Sequence, residues 1–165
     1  MIARFVIVAT ALAACKTAVA QTRAAGSTLE LIGPAGQHRM LSASDLGAMR
    51  SVDTTVSSHN VHGRYRGVPL ADLLRLVGRP SGDSLRGAAL AQEVLVEASD
   101  NYRVVFAPAE LDSAFTDKVV ILAYAKDGSP LDASEGPFRV IAAGEKRPAR
   151  WVRGVVRIQL RAASP

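Results

Sequence analysis

The chain has 165 residues, a formal net charge of +5 and a single cysteine, Cys15. That length suits one independently folding domain on the usual scale of about 100 to 200 residues and excludes a comparable second one. A lone cysteine excludes an internal disulfide, and a chain processed after it has no thiolate to offer a metal.

Met1-Ile2-Ala3-Arg4 is basic, Phe5 to Ala14 is an apolar run too short to span a bilayer as a finished helix, and Ala18-Val19-Ala20 is a small-x-small cleavage site before Gln21. Residues 1–20 read as a secretory signal, which places the mature chain in the periplasm. Leu12-Ala13-Ala14-Cys15 also fits a lipoprotein box, and lipid anchoring at Cys15 is the minor alternative. Loss of Arg4 and Lys16 with the signal lowers the net charge from +5 to +3. Nucleic acid is a poor partner in that compartment. No basic amphipathic helix is patterned to lie on lipid, so direct membrane insertion is not expected.

Residues 21–27 are a small, polar leader, and Leu29-Glu30-Leu31-Ile32 opens the fold as a strand closed by Gly33-Pro34. Ser42-x-x-Asp45 before Leu46 predicts a capped short helix, and Val52 to Ser57 alternates as a strand. Ser58 to Tyr65 is polar and carries His59 and His62. Leu70, Leu73, Leu74 and Val77 recur at helical spacing behind Pro69, and Gly78 with Pro80 stops that helix. Glu93 to Ser99 and Tyr102 to Phe106 predict a hairpin turned at Asp100-Asn101, followed by a short acidic helix over 107–113. Val119 to Tyr124 reads as a buried strand, and Asp127-Gly128 begins a turn. There is no internal repeat and no low-complexity segment.

Phe138, Val140 and Ile141 precede a cation-rich loop, and Val155, Val156, Ile158 and Leu160 follow it, so both flanks read as strands. Within the loop Lys146, Arg147, Arg150 and Arg153 face only Glu145, and Trp151 offers a flat face for stacking or cation–π contact. Arginine forks match phosphate and carboxylate oxygens. An anion or an electron-rich heterocycle suits such a loop, and a solvated tip is the plain alternative. Arg139 is expected to face solvent, and Glu145, Lys146 and Arg147 to form a rim.

Four segments, Tyr65 to Leu74, Asp100 to Phe106, Leu122 to Leu131 and Gly136 to Ile141, stand in an order that resembles the oxidoreductase molybdopterin-binding domain of the sulfite oxidase type, over about residues 28–161. The resemblance implies an α+β fold for residues 28–165: a single sulfite-oxidase-like molybdopterin-binding domain, mixed and β-rich with short helices. It also implies a pterin cofactor held by loops, with Arg150 and Arg153 at family positions that contact the pterin and its phosphate. Catalytic members hold the metal through a cysteine in the loop that here runs from Ser57 to Gly63, where this chain has His59 and Asn60 instead. A neutral imidazole does not reproduce thiolate donation. A small secreted, cysteine-lacking subset of the family resembles this chain in length and leader, and its members are thought to bind free pterins and to regulate membrane-bound cyclic-di-GMP enzymes.

The expected function is therefore a non-catalytic periplasmic pterin-binding protein that regulates such a membrane signalling protein, with a free reduced pterin preferred over the molybdenum cofactor. A molybdopterin-dependent oxidoreductase is the alternative, and a secreted domain that has lost its ligand is a third reading. The expected cofactor contacts are His59, Asn60, Tyr102, Arg150, Trp151 and Arg153, with no catalytic or metal-binding residue. His62 is expected at a turn tip and His38 in a polar loop without partners, and a three-histidine metal site is set aside as chance spacing.

Overall fold

The structure, a computed structural model, describes residues 27–58 and 61–163. The expected signal, Cys15, residues 21–26 of the leader and the His59-Asn60 pair lie outside the described residues.

β1 (Thr28–Ile32) turns back through Gly33, whose N–H donates to Gln37 O at 2.8 Å, into β2 (His38–Ser42). β2 was hidden in the sequence because His38, Arg39 and Met40 are all exposed, so no alternation marks it. His38 is consequently not a loop residue: its Nε2 lies 2.7 Å from Glu30 Oε1 on the neighbouring strand. α1 (Ala43–Ala48) starts at the predicted box, with Ser42 Oγ accepting from Asp45 N–H at 3.2 Å and Asp45 Oδ2 accepting from Ser42 N–H at 2.8 Å.

β3 (Val52–Ser58) and β4 (Val61–Pro69) form an antiparallel hairpin in which Ser57 pairs with His62 and Ser58 with Val61. The stretch expected as a polar loop is thus largely ladder. His62, Arg64 and Arg66 project outward while Tyr65 projects inward, so one aromatic carries most of the buried half of the period. His62 sits on this strand, exposed, with Nδ1 3.0 Å from Ser57 Oγ. α2 (Leu70–Arg75) follows directly, and the predicted Leu70, Leu73, Leu74 and Val77 stripe is fully buried.

β5 (Gln92–Ala98) and β6 (Arg103–Phe106) form the predicted hairpin, with Asn101 in the left-handed region at φ 67°. The expected acidic helix is a 3₁₀ turn, Pro108–Leu111, whose Glu110 side chain takes the Ala107 N–H at 2.7 Å. β7 (Val120–Lys126), β8 (Ser129–Pro130), β9 (Arg139–Ala142) and β10 (Val155–Ala162) complete the domain.

The strands make two five-stranded sheets. One has the order β2-β1-β10-β5-β6, with β1 and β10 parallel and the remaining pairs antiparallel. The other runs β3-β4-β7-β8, with β9 also pairing β7. One core, containing Leu29, Leu31, Val94, Val96, Phe106, Ile121, Leu122, Phe138, Ile158 and Leu160, joins residues of both sheets and α2. The domain is α+β and β-rich, as expected.

The flanks of the basic segment are both strands, as expected, but they lie in different sheets. β9 belongs to one sheet and β10 to the other, so residues 143–154 cross between sheets instead of capping a hairpin. The crossing is tied down by Val140 N–H to Val152 O at 2.8 Å and Val155 N–H to Phe138 O at 2.9 Å. No helix among the described residues is long and apolar enough to cross a membrane.

Candidate functional site

Tyr65, on β4, is fully buried, and its hydroxyl donates to Glu135 Oε1 at 3.0 Å. The same carboxylate oxygen receives Lys126 Nζ at 2.9 Å and lies 3.1 Å from Arg139 Nη1. Both cations also lie over the Tyr65 ring, with Lys126 Nζ 5.3 Å and Arg139 Cζ 5.7 Å from its centroid. Arg139 is therefore buried at 5% exposure and does not face solvent as its neighbours suggested. A guanidinium can enter a core when a carboxylate follows it in, and Glu135 does so one helical-type step away in sequence. The cluster is still incompletely satisfied: Glu135 Oε2 and Arg139 Nε are buried with no hydrogen-bond partner among the described residues.

Charge states follow from the geometry. Burial pushes the Glu135 carboxyl up, but the bonds from Lys126 and Tyr65 and the charge of Arg139 outweigh it and hold the group below its ordinary 4.5. The bond to Glu135 is the main reason that Lys126 stays protonated above its ordinary 10.5, and burial chiefly raises Tyr65 above 10.0. At neutral pH the cluster holds two cations, one anion and a neutral phenol.

The backbone connects this cluster to the basic segment. Gly154 N–H donates to Glu135 O at 3.0 Å, and Ser99 N–H donates to Gly154 O at 2.9 Å. At the end of that β5–β6 turn, the Tyr102 hydroxyl donates to Ala149 O at 2.8 Å. A run of hydrogen-bonded loops, the rim, thus links the Glu135 loop through Gly154 to the β5–β6 turn that carries Tyr102. Gly63 packs directly against two side chains of the β7–β8 turn region, since a Cβ there would lie 2.8 Å from Lys126 Cε and 2.9 Å from Asp127 Oδ2.

The predicted contacts divide along this rim. Arg153 is exposed beside Gly154, with no side-chain partner among the described residues, and Tyr102 is half exposed with its ring anchored through its hydroxyl. His59 and Asn60 lie outside the described residues. Trp151 is placed differently from the open stacking face expected of it: it is buried at 5% exposure, and Nε1–H donates to Ala142 O at 2.9 Å. Arg150 is also spoken for. It forks onto Glu110, Nη1 to Oε1 at 2.9 Å and Nη2 to Oε2 at 3.1 Å, while Nε donates to Glu145 at 2.9 Å. Nη1 also donates to Val105 O at 3.2 Å, and the guanidinium stands 4.3 Å over the Phe106 ring.

Size supports that division. The concavity beside Arg150, lined also by Glu110, Lys118 and Glu145, is about 120 Å³, well short of the roughly 300–1,000 Å³ of ligand pockets. A larger groove of about 720 Å³ lies on the outer side of the β3-β4-β7 sheet between Asp53, Arg64, Arg66, Tyr124 and Asp127. Sequence reasoning brought none of Tyr65, Lys126, Glu135 and Arg139 into the site. The Glu135 to Arg139 spacing was the one local signal, and nothing local points to Lys126.

A polar, cation-bearing rim above a buried charge cluster, carried on an α+β domain of two sheets, is the build of a domain that holds a polar organic ligand by its loops. The family described as the oxidoreductase molybdopterin binding domain matches residues 16–165, and the chain belongs to that family. Among solved structures, the sulfane dehydrogenase SoxCD from Paracoccus pantotrophus matches with a TM-score of 0.61 at 17% identity, over 82% of this chain and 38% of that one. That likeness establishes the fold, and this chain spans well under half of the SoxCD chain. No curated protein matches the sequence.

The family implies a molybdopterin cofactor, and the two ends of that group fare differently here. Buried, unpartnered polar atoms on Arg139 and Glu135 and the free Arg153 suit the hydrogen-bonding edges of a pterin. At the metal end the sequence offers no thiolate besides Cys15, which lies outside the described residues.

Proposed function

We propose that this chain is a non-catalytic, pterin-binding member of the family, acting in the periplasm as the ligand-responsive partner of a membrane-bound cyclic-di-GMP protein. The observation that carries the reading is the donor set. The fold of a molybdopterin domain is retained, while the segment in which the resemblance places the metal-binding cysteine of catalytic members offers serine, histidine and asparagine. The pterin ring is common to the free ligand and to molybdopterin, so one rim serves both, and the protein thiolate is what a redox centre would add.

In this reading Tyr102 supplies the stacking face that the buried Trp151 does not, Arg153 supplies the open cation, and His59 and Asn60 read the ring edge. Trp151 and Arg150 hold the crossing segment in place. The periplasmic location rests on the leader pattern, and the cyclic-di-GMP partner rests on resemblance to the small secreted subset.

Titration of the purified protein with a reduced pterin that carries no phosphate, followed by the pterin's own fluorescence, tests the reading. Saturable binding at one ligand per chain is expected, and a linear, unsaturable response contradicts it.

A further inference from the structure

We propose that β3 is a homodimerisation edge, on which a second copy of this chain lays its own β3 antiparallel about a two-fold axis at Thr55. The inference stands apart from the pterin reading.

β3 ends its sheet, pairing β4 on one side and no strand of the described residues on the other. Which of its backbone groups face the open side follows from β4. Asp127 N–H donates to Arg64 O at 2.8 Å, and Arg64 N–H donates to Asp127 Oδ1 at 2.9 Å, so both backbone groups of Arg64 turn towards the end of β7. Residues along an antiparallel ladder alternate between bonded and non-bonded pairs, so Arg64 and its partner Thr55 are a non-bonded pair. Thr55 therefore directs its N–H and C=O away from β4, and by the same alternation so do Asp53 and Ser57. The side chains of all three are exposed.

The other sheet ends are protected. β8 has two residues, one of them Pro130, and the Val105 carbonyl on β6 accepts from Arg150 at 3.2 Å. β2 is five residues long and exposes Arg39. β3 runs for seven residues with no proline, lysine or register shift. Its one charge, Asp53, is met by Arg64 at 2.9 Å and by Arg66 at 3.6 Å.

The segment is also complementary to itself. An antiparallel copy centred on Thr55 sets Asp53 opposite Ser57, Thr55 opposite Thr55 and Ser57 opposite Asp53, with the outward backbone groups in bonding register at all three pairs. Each carboxylate meets a hydroxyl, and the threonines pair across the axis. On the other face Val52 comes opposite Ser58 and Thr54 opposite Val56. A parallel copy in register would instead stack Asp53 on Asp53, which like-charge repulsion disfavours.

Analytical ultracentrifugation of the full chain over a range of concentrations, with Thr55→Pro, Thr55→Lys and Thr55→Glu beside wild type, tests the proposal. Wild type is expected to show a reversible monomer–dimer equilibrium. Thr55→Pro removes an N–H that the β3–β4 ladder does not use, and is expected to weaken dimerisation about tenfold. Thr55→Lys and Thr55→Glu each set like charges face to face and are expected to weaken it about fivefold, while an equimolar mixture of the two recovers a dimer. Wild type that stays monomeric across its soluble range overturns the proposal and leaves the edge to an extended segment of another protein. A dimer indifferent to Thr55→Lys also overturns it, and so does a mixture that associates no more tightly than its two components.

Discussion

Arg150 and Glu110 meet as two parallel hydrogen bonds of 2.9 and 3.1 Å, joining the 143–154 crossing to the 3₁₀ turn that follows β6. With Glu145 on Nε and Phe106 beneath, this guanidinium is a structural tie. Arg150→Ala is accordingly expected to lower unfolding stability by about 1–3 kcal/mol, read from urea denaturation, and to leave pterin affinity unchanged under conditions where it is folded. A stable variant with lost pterin binding would return Arg150 to the ligand site.

Arg153 provides the contrast. Its side chain is exposed and has no partner among the described residues, so Arg153→Ala is expected to change stability by no more than about 0.5 kcal/mol and to weaken pterin binding by about 1–3 kcal/mol. Fluorescence titration and thermal melts on the same samples separate the two effects. Unaltered affinity removes Arg153 from the rim's function.

Trp151 fills core volume and donates Nε1–H to the last residue of β9. Trp151→Ala should cost about 3–5 kcal/mol through the cavity it leaves, while Trp151→Phe should cost about 0.5–1.5 kcal/mol by removing the indole bond to the Ala142 carbonyl, which keeps the Glu145 N–H at 3.4 Å. Chemical denaturation of both variants checks this. A neutral Trp151→Ala would show the ring to be exposed in solution.

The sequence was most legible where side chains repeat with a period. The Leu70, Leu73, Leu74 stripe and the Asp100-Asn101 turn announced α2 and the β5–β6 hairpin because local spacing is enough to bury one face. β2 escaped because an edge strand with three exposed residues in a row has no alternation to read, and β4 because its outward positions are all polar. The site was harder still. Arg139 reads as a surface charge until Lys126 and Tyr65 from two other strands join it and the nearby Glu135, and such pairing belongs to the tertiary structure. The crowding of cations near Trp151 suggested a ligand loop. In the fold those charges point different ways, Arg150 to an internal partner and Arg153 outward.

Asp112 makes a pH prediction. Burial pushes its carboxyl up, but N–H groups of Ala114 and Gly82 and the Arg79 guanidinium at 2.9 Å outweigh that and hold it below its ordinary 3.8. A carboxyl whose folded value is depressed adds stability above its unfolded value and loses it as pH falls through the folded one. Wild-type stability is therefore expected to decline below about pH 4. Asp112→Asn should remove part of that slope and, by stranding the buried Arg79, cost about 3–5 kcal/mol at neutral pH. Urea denaturation across that range measures both, and equal slopes would assign the acid sensitivity elsewhere.

The most direct test of a pterin held without a thiolate-bound metal is elemental analysis of protein purified from its native host, paired with fluorescence of whatever pterin it releases on denaturation. A pterin recovered with molybdenum far below one atom per chain is the predicted result. Molybdenum at one atom per chain would contradict the account and make the chain a metal-bearing oxidoreductase.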